Sequence, residues 1–223
     1  MTILKIQVFG GSSVGVYIVA NNRFILYPPS LIEATVKKIE GVFDVPLFSA
    51  TINNSRLVGV YTASNKYGII VPHLIRDDEL EKLRSSLDDS TQIGVLKSID
   101  NAFGNLILCN DKAAIISSFL KDYQKEIEDI LNVETVVYEF AGSYLPGSIS
   151  IANNKGCLVH PLADDDEIEE ITCILKVEET DVSTINRGIP YLSAGAIVND
   201  KSGIFGAFST GPELMRLTNI LKL

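Results

Sequence analysis

The 223-residue sequence has no tryptophan, two histidines, two methionines and three cysteines. The cysteines, Cys109, Cys157 and Cys173, are odd in number and show no Cys-x-x-Cys spacing, which argues against a disulfide framework or a zinc site and for a reducing compartment. No run approaches the roughly eighteen apolar residues of a membrane span. The opening Met1-Thr2-Ile3-Leu4-Lys5 lacks the basic-then-apolar pattern of a secretory signal, so a soluble cytoplasmic chain is expected. Basic residues are also scarce. Nineteen Lys plus Arg against 28 Asp plus Glu give a net charge of −9, the wrong sign for a protein held by many phosphate contacts. The aromatics do not interleave with cations as a stacking platform for single-stranded nucleic acid requires. Such a chain suits docking on something basic.

What the sequence does contain is a repeat. A short Asn/Asp turn with a cation recurs at Asn21-Asn22-Arg23, Asn65-Lys66, Asn110-Asp111-Lys112, Asn153-Asn154-Lys155 and Asn199-Asp200-Lys201, with intervals of 43, 46, 43 and 46 residues between the cations. Each turn follows a glycine: Gly15, Gly59, Gly104, Gly147 or Gly195. Between glycine and turn lies a short apolar strand, expected at Val16 to Val19, Val60 to Thr62, Leu106 to Leu108, Ser148 to Ile151 and Ala196 to Val198. After the turn a second strand returns, expected at Phe24 to Leu26, Ile69 to Val71, Ala114 to Ile116, Cys157 to Val159 and Gly203 to Phe205.

The period then becomes helical. Apolar stripes run Ile32, Val36, Ile39; Leu80, Leu83, Leu87; Tyr123, Ile127, Ile130; Ile168, Ile171, Leu175; and Leu214, Leu217, Leu221. Acidic first turns at Asp77-Asp78-Glu79 and Asp164-Asp165-Asp166-Glu167 complement the positive end of a helix, and consecutive carboxylates of this kind do not converge on a metal ion. A further strand follows the first four helices, at Leu47 to Ile52, Gln92 to Ile99, Glu134 to Phe140 and Val177 to Ile185. The fifth unit lacks one. The unassigned strand at the N-terminus, with Leu4, Ile6 and Val8 on one face and Lys5 and Gln7 on the other, can supply it. These features predict an α/β fold, a closed ring of five pseudosymmetric β-β-α-β repeats forming one domain over 1–223. The repeats fall at about 10–52, 53–99, 100–141, 142–185 and 186–223 plus strand 3–9.

No residue set assembles an active site. Cys157 and His160 lie an odd number of residues apart on one strand and so face opposite sides of a sheet. His73 and His160 occupy near-equivalent repeat positions, which the architecture explains. The stretch Gly10-Gly11-Ser12-Ser13-Val14-Gly15 lacks the Lys-Ser/Thr of a phosphate loop and reads as a turn. The loops preceding the repeat glycines stand out instead: Ser12-Ser13, Asn53 to Arg56, Asn101-Ala102-Phe103, Ser143 to Pro146 and Asn186 to Tyr191. Pseudosymmetry gathers them at one end, where they are expected to form a partner surface with Tyr144, Leu145, Pro146, Ile189 and Tyr191 exposed at its centre and Arg56 and Arg187 as anchors.

Four segments, Asn65-Lys66-Tyr67-Gly68-Ile69-Ile70-Val71-Pro72, Phe103-Gly104-Asn105 through Cys109-Asn110-Asp111, Gly156-Cys157-Leu158-Val159-His160-Pro161, and Ile185-Asn186-Arg187-Gly188 through Ala194-Gly195 to Asn199-Asp200, together resemble the translation initiation factor 6 family of ribosome anti-association factors. The likeness covers essentially the whole chain. Ending directly after the last helix, the chain is more similar to archaeal members than to eukaryotic ones. The resemblance implies the five-fold pentein fold and a non-enzymatic factor; a closed ring without an obvious apolar outer stripe favours a monomer, and neither cofactor nor metal is expected. Such a factor binds the intersubunit face of the large ribosomal subunit, mainly through a ribosomal protein beside the sarcin–ricin loop with limited rRNA contact. It blocks small-subunit joining and is linked to large-subunit maturation. Carried over residue by residue, the contacts fall on Asn105 after Gly104 above all, then on Ser13, Ser55, Tyr144, Leu145 and Ile189. The pair Ser117-Ser118 departs from an expected His-Pro and weakens any role for that turn. Guanidine-modifying enzymes share the pentein fold, but they place their nucleophile in the final repeat and residues 186–223 contain no cysteine. A repeat scaffold for an unrelated protein partner is the other alternative.

Overall fold

The computed structural model describes residues 2–223, which form five three-stranded sheets built to one plan. In each, a short strand pairs antiparallel with a central strand, and a third lies parallel to that centre; in the first four sheets this third strand returns after a helix. The N-terminal strand β1 spans Thr2–Ile6. The first sheet holds β2 (Val19–Ala20), β3 (Ile25–Tyr27) and β4 (Leu47–Ser49), and the second β5 (Ala63–Ser64), β6 (Gly68–Pro72) and β7 (Gln92–Leu96). The third holds β8 (Ile107–Cys109), β9 (Ala113–Ile116) and β10 (Glu134–Val137), and the fourth β11 (Ile151–Ala152), β12 (Gly156–Val159) and β13 (Glu179–Val182). The fifth joins β14 (Ala196–Val198) and β15 (Ser202–Gly206) to β1, in parallel register from Thr2 opposite Ser202 to Ile6 opposite Gly206. The opening strand therefore completes the last unit, burying Ile6 and Val8 while Lys5 and Gln7 face outward, as the alternation anticipates.

The five longer helices are α1 (Glu33–Glu40), α2 (Asp77–Ser86), α3 (Gln124–Leu131), α4 (Asp165–Leu175) and α5 (Gly211–Ile220). Each wedges between its own unit and the sheet before it. Thus α3 packs on β6 and β7, α4 on β9 and α5 on β12. In the same way α1 joins Leu4, Ile6 and Ile204 of the fifth sheet, and α2 joins Phe24, Leu26 and Phe48 of the first. Every core cluster thus straddles two units, and a unit alone would leave apolar faces in water, at a cost of about 1.5–3 kcal/mol per exposed Leu or Ile. The central strands lie between layers, so β6, β9, β12 and β15 are buried throughout their length. Ile32, expected in the first helical stripe, precedes α1 at its N-cap and is 69% exposed.

One local expectation is corrected. In the first three units a helical turn (Val14–Val16, Val58–Tyr61 or Phe103–Leu106) occupies the start of the expected first strand, and in the fourth a turn at Leu145 to Ile149 does so. The strand proper begins only at β2, β5, β8 or β11. Even the fifth, whose strand falls where expected, has a turn at Leu192–Gly195 before it. β-branched propensity yields here to close backbone packing. A Cβ on Gly59 would lie 1.9 Å from the Gly15 carbonyl oxygen, one on Gly104 1.9 Å from that of Gly59, and one on Gly147 2.4 Å from that of Gly104. One on Gly15 would lie 1.9 Å from the carbonyl oxygen of Ser193, so these contacts also run from the fifth unit to the first.

Candidate functional site

The two ends of the molecule differ in how their polar groups are used. At the end bearing the Asn/Asp turns, they are consumed internally. The Asn65 amide donates to the carbonyls of Asn110 (3.1 Å) and Leu131 (2.8 Å), while its oxygen accepts from the backbone N–H groups of Tyr67 and Gly68. Asn110 and Asn153 repeat the pattern one and two units on, each reaching the last carbonyls of the next helix, Leu175 and Leu221. A second series lies outside them. Lys66 N donates to Asp111 Oδ1, Asp111 N to Asn154 Oδ1, Asn154 N to Asp200 Oδ1, and Asp200 N to Asn22 Oδ1, at 2.8–2.9 Å. It breaks at Lys66, whose side chain has no oxygen to offer. Tyr67 beside it, with Asp111 and Asp200 near, holds the Lys66 ammonium above its usual range. Lys112 and Lys155 cap helix ends through the carbonyls of Lys176 (2.8 Å) and Lys222 (3.0 Å). The repeat's polar signature is therefore scaffold chemistry, the satisfaction of buried backbone groups.

At the opposite end sit the loops that precede the repeat glycines. Four of the five are tight turns closed by bridges, Val8 with Gly11, Ile52 with Ser55, Phe140 with Ser143 and Ile185 with Ile189. Their tips are left-handed: Phe9-Gly10, Asn53-Asn54, Ala141-Gly142 and Asn186-Arg187-Gly188 all have φ between +51° and +92°. Successive positive φ values are the signature of the primed hairpin turns, which Asn and Gly adopt readily and Phe, Ala and Arg do not. Three turns are gripped by a glutamate at the third position of a helix. Glu79 accepts from Asn53 N (2.7 Å), Asn54 N (2.8 Å) and the Thr51 hydroxyl (2.6 Å). Glu167 accepts from Ala141 N (2.9 Å), and Glu213 from Gly188 N (2.9 Å), Arg187 N (3.2 Å) and the Thr184 hydroxyl (3.0 Å). Burial pushes the Glu213 carboxyl up, but the N–H groups of Thr210, Gly188 and Arg187 and the Thr210 hydroxyl outweigh it and hold the group at about 2. Glu79 is likewise held low against burial, by Thr51 and the N–H groups of Arg76, Asn54 and Asn53.

The sequence-derived site residues divide by place. Ser13, Arg56, Tyr144, Arg187 and Ile189 are exposed at this end. Tyr191 joins them, and two aromatics absent from the sequence reading complete the patch. Phe119 stacks on Tyr144 with ring centroids 5.4 Å apart, and Phe208 lies under the Arg187 guanidinium at 5.6 Å. Both come from turns between a central strand and its helix, which the topology brings to the same end as the loops. Arg56 covers Phe9 at 4.4 Å. Leu145 and Pro146, expected to be exposed, are not: Leu145 is half-buried against the third-unit core and Pro146 is buried, its carbonyl accepting from the Ser150 hydroxyl. Ser55 is half-buried, its hydroxyl accepting from Leu57 N (3.2 Å). Gly104 lies in the glycine collar around a pit of about 130 Å³, and Asn105 follows it, partly exposed. The three glutamates were missed as loop ligands. In the sequence Glu79 and Glu167 read only as members of acidic first turns and Glu213 does not stand out; Glu167 and Glu213 also close capping boxes with Asp164 and Thr210, and nothing local reveals the distant loop that shares the carboxylate.

Catalytic chemistry finds little support in this geometry. Burial raises the Cys157 thiol, and burial together with Asp111 pushes Cys109 up to about 12, so neither supplies a thiolate near neutral pH. His160 Nδ1 accepts from Leu162 N (3.1 Å) as a turn acceptor. Among the described residues no three His, Cys, Asp or Glu side chains group to hold a metal ion, and no helix is long and apolar enough to cross a membrane.

A family model described as the eIF-6 family matches residues 3–220. Among curated relatives, translation initiation factor 6 of Methanocaldococcus jannaschii is 37% identical over 227 aligned positions covering all of both chains. That of Staphylothermus marinus is 38% identical over 97% of this chain and 96% of its own, and that of Pyrococcus abyssi 38% over 94% and 93%. With matches that reach all five sheets, the chain belongs to the eIF-6 family of translation initiation factors.

Proposed function

We propose that this factor docks the loop end of its fold on the intersubunit face of the large ribosomal subunit and blocks the small subunit sterically. In this reading the five units form a closed ring of the pentein type, a single domain acting as a monomer. The observation that carries the proposal is the asymmetry of the ends. One end spends its polar groups on itself, whereas the other presents Tyr144, Ile189, Tyr191, Phe119 and Phe208 beside Arg56 and Arg187, an aromatic and Arg composition typical of protein interfaces. Asn105 is partly exposed and follows Gly104, which lines the glycine pit. Ser13 lies on the exposed part of the first loop, while Ser55, Gly104 and Leu145 shape the surface from beneath. Charge supports a mainly proteinaceous partner. Residues 100–185 contain 17 acidic and 5 basic side chains, so broad contact with phosphates is disfavoured and basic ribosomal protein segments are the fitting counterpart.

Co-sedimentation with separated ribosomal subunits tests this. Wild-type protein should pellet with large subunits only and prevent their joining to small ones, and Asn105→Arg should weaken both effects at least tenfold. Binding to small subunits, or to neither, would refute the proposal.

A further inference from the structure

We propose that Glu79, Glu167 and Glu213 are positioning residues of the docking face, each holding a left-handed loop turn in the shape the partner meets; this rests on the docking reading above. The three carboxylates occupy the same place in three units, the third position of α2, α4 and α5. Glu79 and Glu213 are buried, and among the described residues no cation pairs with any of the three. A buried charge without a counter-ion is unfavourable unless hydrogen bonds replace its water, and here the donors are the loops themselves. Ordinary helix capping explains only part of this. Thr210 N and its hydroxyl bond Glu213 as a capping box requires, but Arg187 N, Gly188 N and the Thr184 hydroxyl lie about 25 residues upstream and have no part in the cap. The turns gripped this way include Asn53 (φ +53°), Ala141 (φ +53°) and Arg187 (φ +67°), conformations that side-chain-bearing residues seldom keep unaided. In the third unit, Ser98 to Asn101 contain no left-handed residue, and Glu126 at the third position of its helix is exposed and, among the described residues, bonds no loop amide; the first unit's left-handed Phe9-Gly10 turn is closed by its Val8–Gly11 bridge alone, since the third residue of α1 is Thr35. Ordering the turns before encounter removes that entropy from the docking step.

The test uses the full chain. Glu213→Gln retains the side chain's shape, yet its amide nitrogen faces N–H donors and can accept from none of them. Amide exchange at Arg187 and Gly188 should accelerate at least tenfold and affinity for large subunits should fall about tenfold, both measured well below the unfolding temperature. Glu79→Gln should do the same at Asn53 and Asn54, and adding Asn54→Gly, which takes a positive φ freely, should restore most of the affinity. Ile127→Val, a fully buried change away from the loops, serves as the control for lost stability. Should Glu213→Gln prove poorly folded, Glu167→Gln, which frees a single loop amide, carries the same prediction at Ala141. Unchanged exchange, unchanged affinity despite faster exchange, or an equal affinity loss in the control would each overturn the proposal. Failure of the wild type to bind large subunits would instead overturn the docking reading, and the exchange data would still decide whether the carboxylates hold the turns.

Discussion

Replacing Asn110 by alanine isolates what the asparagine series contributes to stability. The side chain is 5% exposed and makes four backbone hydrogen bonds, to the carbonyls of Asn153 (3.2 Å) and Leu175 (2.9 Å) and from the N–H groups of Lys112 (2.8 Å) and Ala113 (2.9 Å). Each such bond contributes about 1 kcal/mol net, and truncation leaves the partner groups buried and unpaired. A chamber of about 40 Å³ lined by Asn21, Asn65, Asn110, Asn153 and Asn199 adjoins the site, roomy enough for water to recover part of the loss. The expected cost is therefore about 3–4 kcal/mol, or roughly 10 °C in unfolding temperature for a chain of this length. Asn199→Ala is the internal standard. Its oxygen accepts from Lys201 N and Ser202 N, but its amide nitrogen donates to nothing among the described residues, so the cost should be about half. Urea unfolding and calorimetry on both variants decide the matter. Equal losses at the two positions, or a loss below about 1 kcal/mol at Asn110, would refute the argument that shared backbone carbonyls bind the units together.

Gly59→Ala puts a methyl 1.9 Å from the Gly15 carbonyl oxygen, where no flexible side chain can yield, and should destabilise by about 3 kcal/mol or more in thermal unfolding. Glu213 ionises at about 2 in the fold, below the ordinary carboxyl value of about 4.5. A depressed value stabilises above the unfolded pKa, so on the order of 2–3 kcal/mol should be present at pH 7 and disappear as pH falls from about 4.5 through 2. Wild-type and Glu213→Gln unfolding curves should accordingly converge near pH 2; a gap independent of pH would contradict the assignment. Tyr144→Ala removes the exposed ring that stacks on Phe119 and should weaken large-subunit binding about tenfold while shifting the unfolding temperature by only a few degrees, in sedimentation and calorimetry respectively. Affinity should decline with salt far less steeply than for a protein making eight phosphate contacts.

Much of the fold was legible because the repeat is written in residues with narrow roles. The Asn/Asp turns, the helical stripes and the orphan N-terminal strand led to the strand pairing that the fifth sheet displays. The failures share a physical origin in contacts between units. Val60 to Thr62 reads as strand by composition, yet Val58–Tyr61 is a helical turn because the backbone of Gly59 must meet Gly15, a demand that arises only once two units face each other. The helical stripes gave the five helices, but an amphipathic stripe does not say that the sheet before it as well as its own unit covers it. At the loop end Tyr144, Ile189, Leu145 and Pro146 were all expected to be exposed, but Leu145 turns inward against the third-unit core and Pro146 is buried. Phe119 and Phe208 went unnoticed because they belong to another turn of the chain, gathered by topology alone.

The pairing of β1 with β15 has a consequence for synthesis. Thr2 to Ile6 are translated about two hundred residues before their partners, Ser202 to Gly206. During elongation first-unit residues such as Ile18, Ile25 and Ile39 can cover Ile6 and Val8 early, but the hydrogen-bonding edge of the opening strand must wait about two hundred residues for its native neighbour. At ordinary elongation rates of about 5–20 residues per second that wait lasts roughly 10–40 seconds. The joining of first and last strands is also the pairing of greatest sequence separation, the kind that slows folding most. Completion of the fifth sheet is thus a late event in folding, and chains broken off before Gly206 retain a strand with an unpaired edge, a ready template for aggregation.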